Sequence, residues 1–554
     1  MVTSESVIYP ARIVHTMERA RPTAEAVAVS DGRIVAAGSL AELRELGPAS
    51  VDDRFADRVL LPGFVEAHSH SFGGGFWQFP YCGYFARWAP DHRLWSGCTS
   101  IDAVIERLRE AEAALTDPDQ PLVAWGLDPI YFKGERLTAA HLDRISTTRP
   151  VFVMHASIHL ATVNTALMTR EGIGPDTLVE GVPKDGAGMP IGELQEPAAL
   201  SLATGAIGEL FGALLNDTAI THFGSLARNA GVTTLTDLGS MSIDDDGVID
   251  RMRRIVDGPG FPARLSIFHN PGFGGPSDLD EGAALVHSRA AEGTAKLRFG
   301  HVKLVLDGSI QGFTARLRPP GYLGDRPNGL WLVPPEQIVE RLRPFHRAGI
   351  TVHAHCNGDQ TVDVFLDAAE TVLAETPRWD HRHTVQHCQL TTAAQYRRMA
   401  ALGLCVNLFT NHTYYWGDQH VEETVGFDRA SRMNAAATAL AEGVPLSMHS
   451  DSPVTPIGSL HVAWCAVNRL TATGRELGPA ERISVADALR AVTIGAAYQL
   501  KMDDEIGSIA PGKLADFAVL AEDPLEVAPH ELRDIPVWGT VLAGRPHPIP
   551  SYDN

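Results

Sequence analysis

Leu61-Pro-Gly-Phe-Val-Glu-Ala-His-Ser-His70 decides the reading of this chain. An apolar run ends there in two histidines one residue apart. Side chains alternate along a strand, so His68 and His70 project to one side and can grip a single ion. Such a pair alone is common and reads equally well as polar strand-end histidines. Its company tips the balance. His353-Ala-His355, Gln386-His387-Cys388 and His449-Ser-Asp451-Ser-Pro453 also close apolar runs far downstream.

Eight apolar runs qualify as strands, at 59–70, 232–237, 263–269, 302–307, 350–355, 383–387, 404–409 and 445–451. Helical patterns at 336–348, 361–374 and 393–402 fall between several of them. This alternation marks a parallel α/β fold, and eight such units close a (β/α)8 barrel of the TIM type. A barrel aims the C-terminal ends of its strands at one mouth, so histidines distant in sequence converge there. Imidazoles with a carboxylate form the donor mix that suits zinc or a similar divalent ion.

The first two runs are separated by about 160 residues, too many for a loop. Helical patterns at 101–114 and 219–229 and strand-like runs at 122–125 and 151–154 make this an inserted subdomain, at about 72–220. The chain ends read as short strands: 27–35, broken at Asp31-Gly32, and 515–520 with 537–542. They form either two unrelated hairpins or one small β-sandwich built from both ends. The expected organisation is residues 1–57 and 501–554 as β-structure around a barrel of 58–500.

Composition narrows the function. The 554 residues carry 46 Lys and Arg against 67 Asp and Glu, a net charge of −21 that repels phosphate backbones and anionic membranes. Nucleic acid and membrane partners are therefore not expected. Six cysteines without a CxxC pair indicate neither a disulfide scaffold nor a zinc ribbon. With no signal-like start and no spanning apolar stretch, the expectation is a soluble cytoplasmic protein. A homodimer is the default assembly.

Lys303 stands in His301-Val-Lys-Leu-Val-Leu-Asp-Gly308. On a strand it shares a face with His301, Val305 and Asp307. A lysine aimed into a barrel either pairs, here with Asp307, or loses its charge; as a free amine it can take up carbon dioxide as a carbamate. The residues leave both readings open. Cys356 and Cys388, next to histidines on their strands, face the other way and read as packing residues.

LPGFVEAHSH, HVKLVLDGSIQGFTARL, VHAHCNGD, VQHCQL, SMHSDSPV and the tail IGSIAPGKLADFAVL, in this order, resemble the amidohydrolase superfamily. They are most similar to its branch containing N-substituted formamide deformylase. The resemblance implies a metal-bearing barrel with a β-sandwich from both chain ends. It matches His68, His70, Lys303, His355, His387 and Asp451 to metal ligands, with Lys303 carboxylated and two zinc ions per chain. His301 and His353 match no ligand position and are expected to support or pack.

The implied chemistry is hydrolysis of a non-peptide carbon–nitrogen bond in a small amide, such as an N-substituted formamide. A metal-activated hydroxide would attack, and Asp451 would carry its proton to the leaving nitrogen. His155, His159, Arg316, His412 and Trp77 are candidate substrate contacts. A deaminase or cyclic-amide hydrolase is the alternative, although Lys303 and Asn357-Gly-Asp359 after His355 count against deamination. A non-catalytic metal-binding regulator is a third reading, and the competent residue at each matched position counts against it.

Overall fold

A computed structural model describes residues 6–550 apart from 133, 159, 240, 241 and 273. It divides into two compact units, residues 1–71 with 224–554, and residues 72–223.

In the larger unit, Phe64–Glu66 (β1), Val232–Asp237 (β2) and Arg264–Ile267 (β3) run parallel, with the short strand Leu297–Arg298 beside β3. His301–Val305 (β4), Thr351–Cys356 (β5), Thr384–His387 (β6), Cys405–Leu408 (β7) and Leu446–Met448 (β8) form a second parallel sheet in chain order. Isolated parallel bridges, His269 with Val302 and Ser69 with Ser452, join the sheets at both edges. The expected cylinder of eight strands is thus two parallel ladders bridged at two places. Strands covered on both faces must be apolar or β-branched nearly throughout, as Val232-Thr-Thr-Leu-Thr-Asp237 is, with all six residues buried.

Helices lie between successive strands. Ile338–Arg347 precedes β5 and buries Ile338, Leu342 and Phe345, one stripe at helical spacing. Ala393–Leu402 follows β6. Thr392 and Gln395 form a capping box at its start, and Gly403, at φ 72°, ends it in the left-handed conformation that glycine adopts without penalty.

Both chain ends enter one eight-stranded sheet. Its order is Arg545–Pro548, Val537–Leu542, Phe517–Leu520, Val59–Pro62, Ser6–His15, Thr23–Ser30 and Arg33–Gly38, with Ala49–Val51 beside Ser6–His15. The hairpin at Asp31-Gly32 forms as read, with positive φ at both turn residues, 50° and 72°. Phe55, Leu60, Phe517, Val519 and Val541 share an apolar cluster against this sheet. The ends therefore meet, in a single sheet.

The first strand expected at 59–70 is divided at Gly63. Val59–Pro62 pairs with Phe517–Leu520, whereas β1 pairs with β2. A Cβ on Gly63 would lie 1.9 Å from Thr233 Oγ1, so only glycine lets the chain pass so close to β2 as it changes sheets.

In the smaller unit, Glu193–Gln195, Leu160–Val163, Val151–His155 and Leu122–Leu127 form a four-stranded sheet. Phe76, Trp125, Phe152, Leu194 and Leu210 belong to its apolar core. Among the described residues no helix is long and apolar enough to cross a membrane.

A buried ion pair ties the terminal sheet to β3. Arg264 Nε and Nη2 donate to Asp516 Oδ2 and Oδ1 at 2.7 and 3.0 Å, with both side chains 2% exposed. Removing one partner strands the other charge. Asp516→Ala should lower unfolding stability by about 3–5 kcal/mol in denaturant titration, and Arg264→Met with Asp516→Leu should recover much of that loss. A loss of under about 1 kcal/mol in the single variant would refute this role for the pair.

Candidate metal centre

The end of β1 and the segment after β8 are locked together by Glu66. Its Oε1 accepts from Ser450 N at 3.0 Å and its Oε2 from Ser450 Oγ at 2.7 Å. Burial raises Glu66 to about 7 although both bonds favour the carboxylate. Beyond it the two segments exchange backbone bonds: Asp451 N donates to His68 O at 3.1 Å and His70 N to Ser452 O at 2.8 Å. His387 and Asp451 take left-handed backbone conformations, φ 72° and 54°. Non-glycine residues adopt these at an energetic penalty, most often where function demands a side-chain direction.

Asp451 Oδ1 lies 3.3 Å from His68 Nε2 and 3.4 Å from His70 Nε2, and its Oδ2 lies 3.9 Å from His387 Nδ1. Burial opposes ionisation of Asp451, but the His70 hydrogen bond and the charges of His70, His449 and Lys303 outweigh it and hold the acid near 2. Lys303 Nζ is 3.2 Å from His68 Nε2. The ring centroid of His355 is 4.3 Å from that of His387, and His68 stacks on His449 at 4.5 Å. Residues up to 383 positions apart in sequence, His68 and Asp451, thus share one neighbourhood.

Gln386 sets the tautomers. Its Oε1 accepts from Asn407 Nδ2 at 2.8 Å and from His68 Nδ1 at 2.7 Å, while its Nε2 donates to His353 Nδ1 at 2.8 Å. With its proton on Nδ1, His68 turns the Nε2 lone pair toward Lys303 and Asp451. Burial, then Lys303, holds His68 neutral, far below its ordinary range.

Lys303 is 2% exposed, and burial draws its amine down to about 7 against the pull of Asp451. The pairing with Asp307 is not made. That carboxylate instead accepts from Asn357 N, Gly358 N, Thr361 Oγ1 and Arg316 N, at 2.7–3.2 Å. Asp307 fixes the turn after β5, and burial raises it to about 7. His355 Nε2 faces the same turn, 3.2 Å from Gly308 O and 3.7 Å from Asp307 Oδ1.

Among the other expected residues, His301 Nε2 donates to Leu500 O at 3.2 Å and its ring stacks on Phe268, whose edge also meets His353. His412 is buried on Asn411–Gln419, 4.2 Å from Phe409 between ring centroids. Arg316 Nη1 donates to Gly329 O at 3.0 Å, and its guanidinium lies over Trp331. Cys356 and Cys388 are fully buried, which pushes both thiols up. In the smaller unit, His155 Nε2 pairs with Thr162 Oγ1 at 2.9 Å and Trp77 packs edge-on to Trp125. His159 lies outside the described residues.

Among the described residues, two overlapping groups offer donor atoms within 4.8 Å of one another: His68, His70 and Asp451, and His68, His387 and His449. Both ring nitrogens of His387 are buried with no hydrogen-bond partner. Each such atom costs about 1–3 kcal/mol unless something fills it, so the donor set fits a divalent cation. Glu66, Gln386 and Asn407 were not singled out from sequence. Gln386 stood in a quoted motif, but nothing in a single sequence distinguishes an orienting amide from its neighbours.

The profile of the Amidohydrolase family matches residues 56–547. The chain is 26% identical over 543 residues to N-substituted formamide deformylase of Arthrobacter pascens, covering 96% of each. It is 27% identical over 531 residues to Protein LONG AFTER FAR-RED 3 of Arabidopsis thaliana, covering 92% of this chain and 86% of that one. The crystal structure of a metal-dependent hydrolase of Pyrococcus horikoshii OT3 superposes with a TM-score of 0.70 at 20% identity, over 95% of this chain and 99% of the other.

Replacing Gln386 by Met removes the acceptor that orients His68 while keeping its volume. Zinc affinity, measured by chelator competition, should fall roughly 10–100-fold with the fold intact. Unchanged affinity would show that the amide does not orient the site.

Proposed function

The chain belongs to the amidohydrolase family, and from that premise we propose a metal-dependent hydrolase of a non-peptide carbon–nitrogen bond, acting on a small amide such as an N-substituted formamide. The observation that carries this reading is the meeting of His68, His70 and His387 with a buried carboxylate, Asp451, and a buried amine, Lys303. The formamide deformylase of Arthrobacter pascens supports the substrate class. The two bridged parallel sheets are read as one interrupted (β/α)8 barrel, accompanied by the single terminal sheet.

His68, His70, His355, His387, Asp451 and Lys303 would hold the divalent metal, zinc by their donor mix and two ions by their number. Such ions supply Lewis acidity and lower the pKa of water to about 7. Asp451 stays ionised through the neutral range, so its carboxylate accepts the proton of the attacking water and passes it to the departing nitrogen. The neutral Lys303 amine would add to carbon dioxide: a bond forms between Nζ and carbon as one carbon–oxygen π bond opens to an oxygen anion, nitrogen releases one proton to solvent, and a carbamate anion replaces the neutral amine.

Zinc-loaded protein incubated with N-substituted formamides should release formate and amine. Asp451→Asn should lower kcat at least about 100-fold, with metal content assayed in parallel. A fully loaded wild type that cleaves no amide would refute the proposal.

Carbon dioxide reacts only with the neutral amine, and Lys303 is neutral above about 7. Bicarbonate and zinc should therefore restore stripped protein faster at pH about 8 than at pH about 6, and Lys303→Arg should not respond. The same depression makes the unfolded chain bind the extra proton between about 7 and 10.5, so this group's contribution to apoprotein stability rises with pH across that window. Equal reactivation at both pH values would contradict the carbamate.

A further inference from the structure

His387 and His449 are the two histidines, among the described residues, with both ring nitrogens buried and without a hydrogen-bond partner. His387 belongs to the ligand set above; His449 has no role in it. The His449 ring is held between two aromatic faces, stacked on His68 at 4.5 Å and 13° and on Phe409 at 5.0 Å and 24°. Its backbone N–H is tied to Leu408 O at 3.1 Å. Packing on both faces fixes the ring plane, so only the ring edge can interact, and that edge bears the two unpaired nitrogens. The ring centroid lies 5.0 Å from that of His387, and its donor atom groups with those of His68 and His387 within 4.8 Å. His449 is 1% exposed, so bulk solvent does not reach its ring. Leaving such nitrogens unfilled is unfavourable, and one donor atom of His449 lies within 4.8 Å of one each from His68 and His387.

We propose that His449 is a metal ligand, joining His387 as a donor to one divalent cation. The inference rests on the metal-hydrolase reading and enlarges its ligand set. It also allocates donors. His68 donates through Nδ1 to Gln386 and keeps one lone pair, on Nε2, which can serve one ion only. His68 therefore completes either the group with His70 and Asp451 or the group with His387 and His449, in any one state. Asp451 has an oxygen toward each side, Oδ1 toward His68 and His70 and Oδ2 toward His387. It alone of these residues can serve both groups at once.

The test uses the full chain, stripped of metal and reloaded with cobalt(II) or zinc(II). His449→Cys places a thiolate at the position, and the cobalt protein should gain a near-ultraviolet sulfur-to-cobalt charge-transfer band absent from the wild type. His449→Gln should bind zinc at least about 10-fold more weakly and lose one imidazole from zinc X-ray absorption scattering. A residue that only packs beside the ligands would change neither the band nor the count. A crystal structure of the zinc-loaded wild type needs no variant to fold: a His449 ring nitrogen should lie about 2.0–2.1 Å from the anomalous zinc peak. A separation beyond about 3 Å, or folded variants with no new band and an unchanged imidazole count, overturns the assignment of His449 alone. If the wild type takes up neither ion, the metal-hydrolase reading falls with it.

Discussion

Two segments nearly four hundred residues apart are clasped by one buried carboxylate. Glu66 spends both oxygens on Ser450 and thereby sets the end of β1 against the chain leaving β8. The alignment of His68 and His70 with Asp451 follows from that clasp, as do the backbone bonds that cross between the segments. A buried carboxyl is unfavourable unless both its oxygens are occupied, and the same condition makes the joint specific. Ser450 answers it with a backbone and a side-chain donor.

Below the histidines the polar groups form a chain in which each amide has a defined direction. Asn407 donates to Gln386, and Gln386 both receives from His68 and donates to His353. Ser447 Oγ reaches Asn407 Oδ1 at 3.0 Å from β8. This layer has a consequence for charge as well as position. A neutral His68, a carboxylate near 2 and an amine near 7 coexist in one small volume because burial disfavours the cations of His68 and Lys303 while Asp451 retains its anion. The result is a cluster rich in lone pairs and short of protons, the electrostatic state that a divalent cation requires of its ligands.

Much of this could be read from one sequence because strand ends announce themselves. Apolar runs stopping at His70, His355, His387 and Asp451 pointed to a common mouth, and Asp31-Gly32 specified its turn through the local chemistry of positive φ. What could not be read depended on partners distant in sequence. Nothing local says that Gly63 must pass against Thr233, so the run at 59–70 reads as one strand although it serves two sheets. The strand periodicity set Asp307 beside Lys303, but β4 stops at Val305 and Asp307 turns to the backbone of 357–358. His449 was visible in the His-Ser-Asp triplet, yet its free nitrogens become apparent only when its stacking partners, His68 and Phe409, are in place.

The passage at Gly63 joins the terminal sheet to the segment that carries His68 and His70. Val59–Pro62 is clamped between a strand from each chain end, and within eight residues the same backbone delivers His70. No helix or loop intervenes to absorb a displacement. An ion held by those imidazoles in the folded chain alone would stabilise the fold that includes the pairing of Phe517–Leu520 with Val59–Pro62. The strand that both chain ends hold is thus the approach to His68 and His70.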